Sequence, residues 1–348
     1  MLHILGTASV AGTGIASMVD VLARQLDPTE FSLAACFLGP GGPWSKRLRG
    51  AGVSTLELPW TSPLDGRGAL RFWRYLRAQQ LDVVHLHHGG RSVRRLSRWT
   101  TGARLVVHVH GRVRHEGDYR PVPVVLPDAD VAVATSRAVA QFVQARRVEV
   151  IYPGVPSMPR GGNADPWTIG AAGRLVPIKG YQHLIEAFAA VHARHPQARL
   201  EIAGDGPLRV DLESQAQQRG LGDAIRFHGW VEDLAGAMSS WSVFVQPSLE
   251  EALGITVLQA MAGGVAVVAS DVGGLSELVD PGVSGALVPP GDSVALAAAI
   301  SDMLADPGRR ARFVAAAERK AGAFSEQRFA TEVARVYRSL RSPGPEAA

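Results

Sequence analysis

A chain of 348 residues, 46% hydrophobic and 20% charged, can hold two domains with their own cores and has the balance of a globular enzyme. The single cysteine, Cys36, excludes an internal disulfide framework, and the start M-L-H-I-L-G lacks the basic, long-apolar pattern of a signal peptide, so a cytoplasmic setting is expected. The net charge of +4 hides an asymmetry: residues 1–155 carry 19 Lys/Arg against 11 Asp/Glu, and residues 156–348 carry 17 against 21. A basic first half fits an anionic partner or an acidic membrane surface at the inner face, and a solvated face equally well.

Leu2 to Leu5 reads as a first strand, followed by T-A-S-V-A-G-T-G and a helix through Leu26. A glycine loop between a first strand and a helix is a common phosphate cradle, although it lacks the G-x-G-x-x-G of a nicotinamide dehydrogenase. Four further apolar runs (31–38, 53–58, 83–86 and 105–109) alternate with helical segments. One of these, R-G-A-L-R-F-W-R-Y-L-R, places Arg67, Arg71, Arg74 and Arg77 near one face, with Leu70, Trp73 and Leu76 expected in the core. A second, R-S-V-R-R-L-S-R-W, is more strongly basic. Such helices can rest on anionic membranes, or simply pack on a sheet.

Two histidine pairs, His85/His87 and His108/His110, place each pair on one face of a strand. Zinc binding is conceivable for such pairs, but no carboxylate or cysteine completes a ligand pattern, and no metal is expected. Sheet packing explains His85, His87 and His108. The loop R-V-R-H-E-G-D-Y-R that follows is dense in charge, and its arginines would suit a phosphorylated or otherwise anionic ligand. After the strand D-V-A-V-A and the segment T-S-R-A-V, four prolines and three glycines interrupt all periodicity, marking residues 153–166 as a linker.

The second half opens with T-I-G-A-A-G-R-L-V-P-I-K-G, a strand whose end carries Arg174 and Lys179, two cations able to converge on one diphosphate. Residues 243–279 then form a β-α-β pattern: an apolar strand, Pro247–Ser248, a turn with Glu250 and Glu251, and apolar positions Ile255, Leu258 and Met261 at helical spacing. Gly263 and Gly264 stop that helix before the buried run Val265 to Ala269. A β-α-β unit makes the sheet parallel and puts ligands at the carboxyl ends of its strands. The first N–H groups after Gly254 suit a phosphate or sugar oxygen.

These motifs resemble glycosyltransferase family 4, retaining enzymes with the GT-B fold, in which two Rossmann-like doubly wound α/β domains face each other across a cleft. The run P-S-L-E-E-A-L-G-I-T-V-L-Q-A-M-A matches the family's E-x7-E signature, with Glu251 on the first glutamate and Gln259 on the second. G-R-L-V-P-I-K-G, F-H-G-W-V around Gly229 and H-V-H-G around His110 match further family elements. The resemblance implies domains over 1–152 and 167–324 and a helix over 325–341 that returns to the first domain; the composition of S-P-G-P-E-A-A makes 342–348 a disordered tail. It implies a nucleotide-diphosphate sugar as donor, no cofactor, no nucleic-acid partner, and an acceptor hydroxyl on a glycan, glycolipid or small molecule, anionic or lipid-linked.

Roles carry over by position. Arg174, Lys179 and the backbone at Gly173, Leu253, Gly254 and Ile255 would receive the diphosphate, with Gly12 and Gly14 in the first glycine loop. Glu251 would hold sugar hydroxyls, His110 would face the donor sugar and its phosphate, Gly229 would lie near the base, and Gln259 would take the place of the glutamate that grips the ribose. Because Gln259 carries no charge, a non-catalytic binding protein with an altered donor site stands as the alternative.

Overall fold

The computed structural model describes residues 1–5, 13–39, 42–58, 65–87, 90–111, 123–159 and 164–341. Gly12, the loop after Gly111, residues 160–163 of the expected linker and the tail lie outside the described residues. Two units result: Met1–Gly154 with the helix Glu326–Arg341, and Val155–Ser325.

The first unit contains β1 (Leu2–Leu5), β2 (Ala34–Phe37), β3 (Ser54–Glu57), β4 (Val83–Leu86), β5 (Arg104–Val109), β6 (Val124–Leu126), β7 (Val131–Ala134), β8 (Val143–Ala145) and β9 (Val148–Val150). Seven of them form a sheet in the order β3-β2-β1-β4-β5-β7-β9, while β6 and β8 pair separately, and every pairing is parallel. A parallel sheet is covered on both faces, so its central strands must be apolar throughout. V-V-H-L of β4 and V-A-V-A of β7 are accordingly buried at every position. The strand order reverses between β1 and β4, the place where doubly wound folds bind ligands.

The helix Glu326–Arg341 buries Phe329, Ala330, Val333, Val336 and Tyr337 within this unit. Ion pairs Arg24–Glu326, Arg338–Glu30 and Arg335–Glu149 flank that apolar stripe. The helix Gly66–Ala78 corrects one expectation. It buries Gly68, Phe72 and Leu76, whereas Leu70 is 54% exposed and Trp73 only half-buried beneath the Arg77 guanidinium. The inward row follows the four-residue step 68–72–76, which leaves Leu70 on the arginine side.

The second unit contains β10 (Asp165–Ala172), β11 (Arg199–Ala203), β12 (Ile225–Gly229), β13 (Trp241–Gln246), β14 (Ala266–Ser270) and β15 (Ala286–Val288), in the order β12-β11-β10-β13-β14-β15. All these pairings are parallel. The first of these strands begins at Asp165, inside the stretch read as linker, because Trp167 and Thr168 pack into the sheet and Asp165 accepts hydrogen bonds from both. Val243, Phe244 and Val245 are fully buried. Each contributes roughly 1.5–3 kcal/mol of apolar burial, enough to hold the end of β13 in one place.

Candidate active site

In the second unit the strand order reverses between β10 and β13, and the chemistry-bearing residues lie at the carboxyl ends of those two strands. Gly173 and exposed Arg174 follow β10 directly, and Lys179 closes the short 3-10 turn Pro177–Lys179. Glu251 follows β13 after four residues of loop. The two loops are joined through their backbones: Leu249 N–H donates to Ile178 C=O at 2.8 Å. They are joined again through side chains, with Lys179 Nζ 2.5 Å from Glu251 Oε2. Both partners are largely shielded, with side chains 22% and 12% exposed, so the contact is stronger than a typical surface ion pair.

A relay of neutral groups orients the carboxylate. Thr256 Oγ1 donates to Gln246 Oε1 at 3.0 Å, Gln246 Nε2 donates to Ser248 Oγ at 2.8 Å, and Ser248 Oγ donates to Glu251 Oε2 at 3.2 Å. Gln246 and Ser248 are completely buried. Sequence reasoning passed over Gln246 and Thr256; the signal was a polar residue closing an otherwise apolar strand, since a buried amide must find partners. Tyr181 was passed over too. Its hydroxyl is buried beneath Gly173 with no hydrogen-bond partner among the described residues, and burial drives its pKa far above the ordinary phenol range.

Glycine at two positions shapes this corner. Gly254 has φ +101°, and a Cβ there would come 2.5 Å from Leu275, so the chain enters the helix Ile255–Ala262 in a conformation other residues avoid. No described side chain caps that helix, whose first N–H groups have no acceptor within the helix itself. Gly273 has φ +56°, and a Cβ there would meet the Glu251 carbonyl at 2.0 Å. Next to it, Gly274 N–H donates to that same carbonyl at 3.1 Å, pinning the glutamate loop from the β14 side.

Within the helix, Ile255, Thr256 and Gln259 are half-buried on one side, opposite buried Val257, Leu258, Ala260 and Met261. Leu253 is buried, so only its backbone is available to a ligand. Gly229 ends β12 with φ +69°, its C=O accepting from Gly204 N–H at 2.7 Å. Arg174, Lys179, Glu251, Gly254 and Gln259 are thus grouped at the carboxyl edge of one sheet, and Gly229 stands two strands away.

In the first unit, Gly14 lies in the opening turn of the helix Thr13–Gln25, and His110 follows β5, half-buried. His110 does not stand alone. His3, His85, His87, His108 and His110 lie on one face of the β1–β4–β5 strip, with stacked rings 4.4 Å apart for His85/His87 and 4.3 Å for His108/His110. Burial lowers the pKa of His3 and His108 to about 3 and those of His85 and His87 well below 6.5, so all four are neutral. His3 had not been singled out; its parity with His85 in the strand register was the available signal. Among the described residues, the groups within reach of one ion consist of histidines alone. The rings of His87, His108 and His110 stack with their planes 17° to 30° apart, and one nitrogen of each lies within 4.8 Å of the others.

The chain matches two family models in succession: Glycosyltransferase Family 4 over residues 12–157 and Glycosyl transferases group 1 over residues 159–320. It is 31% identical over 296 residues to an alpha-D-kanosaminyltransferase of Streptomyces kanamyceticus, covering 79% of this chain and 76% of the relative. It is 29% identical over 330 residues to a D-inositol 3-phosphate glycosyltransferase of Streptomyces avermitilis, covering 82% and 71%. Among solved structures, HepE of Anabaena in complex with UDP and glucose superposes with a TM-score of 0.82 over 97% of this chain and 99% of that one, at 20% identity.

Proposed function

The chain belongs to the family 4 glycosyltransferases and is a glycosyltransferase enzyme, and on that premise we propose that it moves a sugar from a nucleoside-diphosphate sugar to an acceptor hydroxyl with retention at the anomeric carbon. The observation that carries this reading is the Lys179–Glu251 contact at the strand-order reversal, beside the helix start at Gly254. As the bond from the anomeric carbon to the phosphate oxygen breaks, its electron pair leaves with the nucleoside diphosphate. Stabilising that charge is the main catalytic demand. Arg174, Lys179 and the backbone N–H groups at Gly254 and Ile255 are suited to it, with Gly173, Leu253 and the first glycine loop (Gly12, Gly14) completing the diphosphate surroundings. Glu251 holds sugar hydroxyls, Gln259 hydrogen-bonds the ribose, Gly229 borders the base, and His110 meets the donor sugar and its phosphate. No metal is required, because cations and helix N–H groups already supply positive charge.

UDP bound to HepE supports a nucleotide-sugar donor. The acceptor is proposed to be anionic or lipid-linked, on the strength of the basic first half. Among the described residues no helix is long and apolar enough to cross a membrane. A peripheral contact instead suits the exposed row Arg91, Arg95 and Trp99, the last 79% exposed, beside Arg67, Leu70, Arg71 and Arg74 on the neighbouring helix.

The test is donor turnover. UDP-, GDP- and ADP-sugars are screened by thermal shift, and hits are followed for nucleotide release with the wild type, Glu251→Ala and Lys179→Ala. Turnover that falls in both variants is expected; binding without turnover under any acceptor would favour the non-catalytic reading that Gln259 keeps open.

A further inference from the structure

Lys179 and Ser248 both reach the same oxygen of Glu251. Lys179 Nζ lies 2.5 Å and Ser248 Oγ 3.2 Å from Oε2, whereas Oε1 accepts no hydrogen bond among the described residues. Behind Ser248, Gln246 Nε2 lies 2.8 Å away, and Gln246 Oε1 lies 3.0 Å from Thr256 Oγ1 in the first turn of the helix Ile255–Ala262. Three hydrogen bonds run in series from the helix start to one atom of the carboxylate, through two side chains that are fully buried.

The sense of this series is decided at one end only. A carboxylate paired with Lys179 carries no proton and only accepts, so the Ser248 contact takes the single Ser248 proton. Ser248 is then left to accept from Gln246, which requires the amide nitrogen on that side and the amide oxygen toward Thr256. The oxygen in turn takes the Thr256 proton. Thr256, at the far end, is a hydroxyl able to donate or accept and imposes no sense of its own. Its proton is committed inside the protein, so toward a ligand it offers lone pairs alone. Phosphate oxygens, which suit the nearby helix N–H groups, gain nothing from it.

We propose that Gln246 and Thr256 are positioning residues that keep Glu251 Oε2 anchored through Ser248, so that Oε1 is the atom presented to the sugar. This role rests on the assignment of Glu251 to sugar hydroxyls. It matters when a diphosphate draws Lys179 away: Oε2 then keeps one directed bond, and the carboxylate stays in line with the reacting sugar. Because Thr256 belongs to the helix that receives the donor, the same series ties the carboxylate to the seat of the ligand.

The test is Thr256→Val, which keeps the β-branched shape and nearly the same helix propensity but removes the hydroxyl. Without ligand, the variant strands the buried Gln246 oxygen and is expected to lower the unfolding temperature of the second unit by about 2–4 °C. In a Gln246→Met background, where no amide oxygen is left to strand, the same substitution should cost nothing. An equal loss in both backgrounds, or no loss in either, overturns the series. On an active donor, Thr256→Val is expected to lower kcat about tenfold and Thr256→Ser to restore it. Donor KM, and the Kd for whichever of UDP, GDP and ADP the wild type binds, should change less than about twofold, as for an interaction made in the transition state. An unchanged kcat removes the positioning role, and a Kd weakened tenfold with kcat unchanged makes Thr256 a direct phosphate contact instead. The thermal comparison needs no substrate, so a wild type that turns over no donor defeats the transferase reading and leaves the series to be judged on its own.

Discussion

Lys179 Nζ and Glu251 Oε2 meet at 2.5 Å, bridging the loops after β10 and β13 at the point where the strand order reverses. The two residues are 72 positions apart in the chain, and each neutralises the other before any ligand arrives. A diphosphate entering the corner would take Lys179 as its counter-charge and release Glu251 for hydroxyls. A hydrogen bond to a charged group is worth about 1.5–3 kcal/mol. Lys179→Ala should therefore lower kcat/KM for the donor about 10- to 100-fold. Steady-state kinetics with a fixed acceptor would measure it, and an unchanged kcat/KM would remove Lys179 from the site.

Gln259 lies one helical turn after Ile255 on the open side of its helix, where it can reach a ligand held at the helix start. An amide forms only neutral hydrogen bonds, and charge-assisted bonds are roughly twice as strong. Gln259→Glu is expected to tighten binding of the nucleoside diphosphate severalfold by calorimetry, with little change in thermal stability because the side chain is only half-buried. Weaker binding in that variant would mean that the amide donates a bond to this ligand that a carboxylate cannot make.

What could be read from the sequence was what depends on local pattern. The parallel sheets, the corner at residues 246–255 and the Arg174–Lys179 loop follow from apolar runs and turn residues that act over a few positions. What could not be read depends on partners far apart in the chain. Lys179 meets Glu251 across 72 positions, and His3 joins His87 across 84. Tyr337 reaches the same cluster from the other end of the chain. The misplacement of Leu70 has a smaller cause: several rows along an arginine-rich helix were apolar enough to face the core, and Phe72 with Leu76 won on volume and spacing.

The exposed Arg91–Arg95–Trp99 row predicts binding to anionic vesicles. Arg94 and Arg98 of the same helix are engaged by Asp128 and Asp130, so the outward pair carries the attraction. Juxtaposed basic residues contribute about 1 kcal/mol each near an acidic surface. Arg91→Glu with Arg95→Glu should weaken sedimentation with phosphatidylserine vesicles at least tenfold, and raised salt should do the same to the wild type. Equal binding to neutral phosphatidylcholine vesicles would sink the electrostatic reading.

The buried histidines predict a specific acid sensitivity. His3 and His108 have folded-state pKa values of about 3, and His85 and His87 also fall well below 6.5, in each case chiefly through burial. Above pH 6.5 these groups are neutral in both folded and unfolded chains and cost nothing. As pH falls through the window from 6.5 toward 3, the unfolded chain takes up protons that the folded one refuses, so stability declines. His3 and His108 each remove about 2 kcal/mol by pH 5, and His85 and His87 act in the same direction, against the roughly 5–15 kcal/mol that holds a domain folded. The first unit should therefore unfold near pH 5 while the second persists, which circular dichroism and tryptophan fluorescence across a pH series would resolve. His108 separates this effect from the hydrogen-bonded histidines, because neither of its nitrogens has a hydrogen-bond partner among the described residues. His108→Val should be neutral or stabilising at pH 8 and move the acid-unfolding midpoint lower; an unmoved midpoint would show that the proton uptake occurs elsewhere.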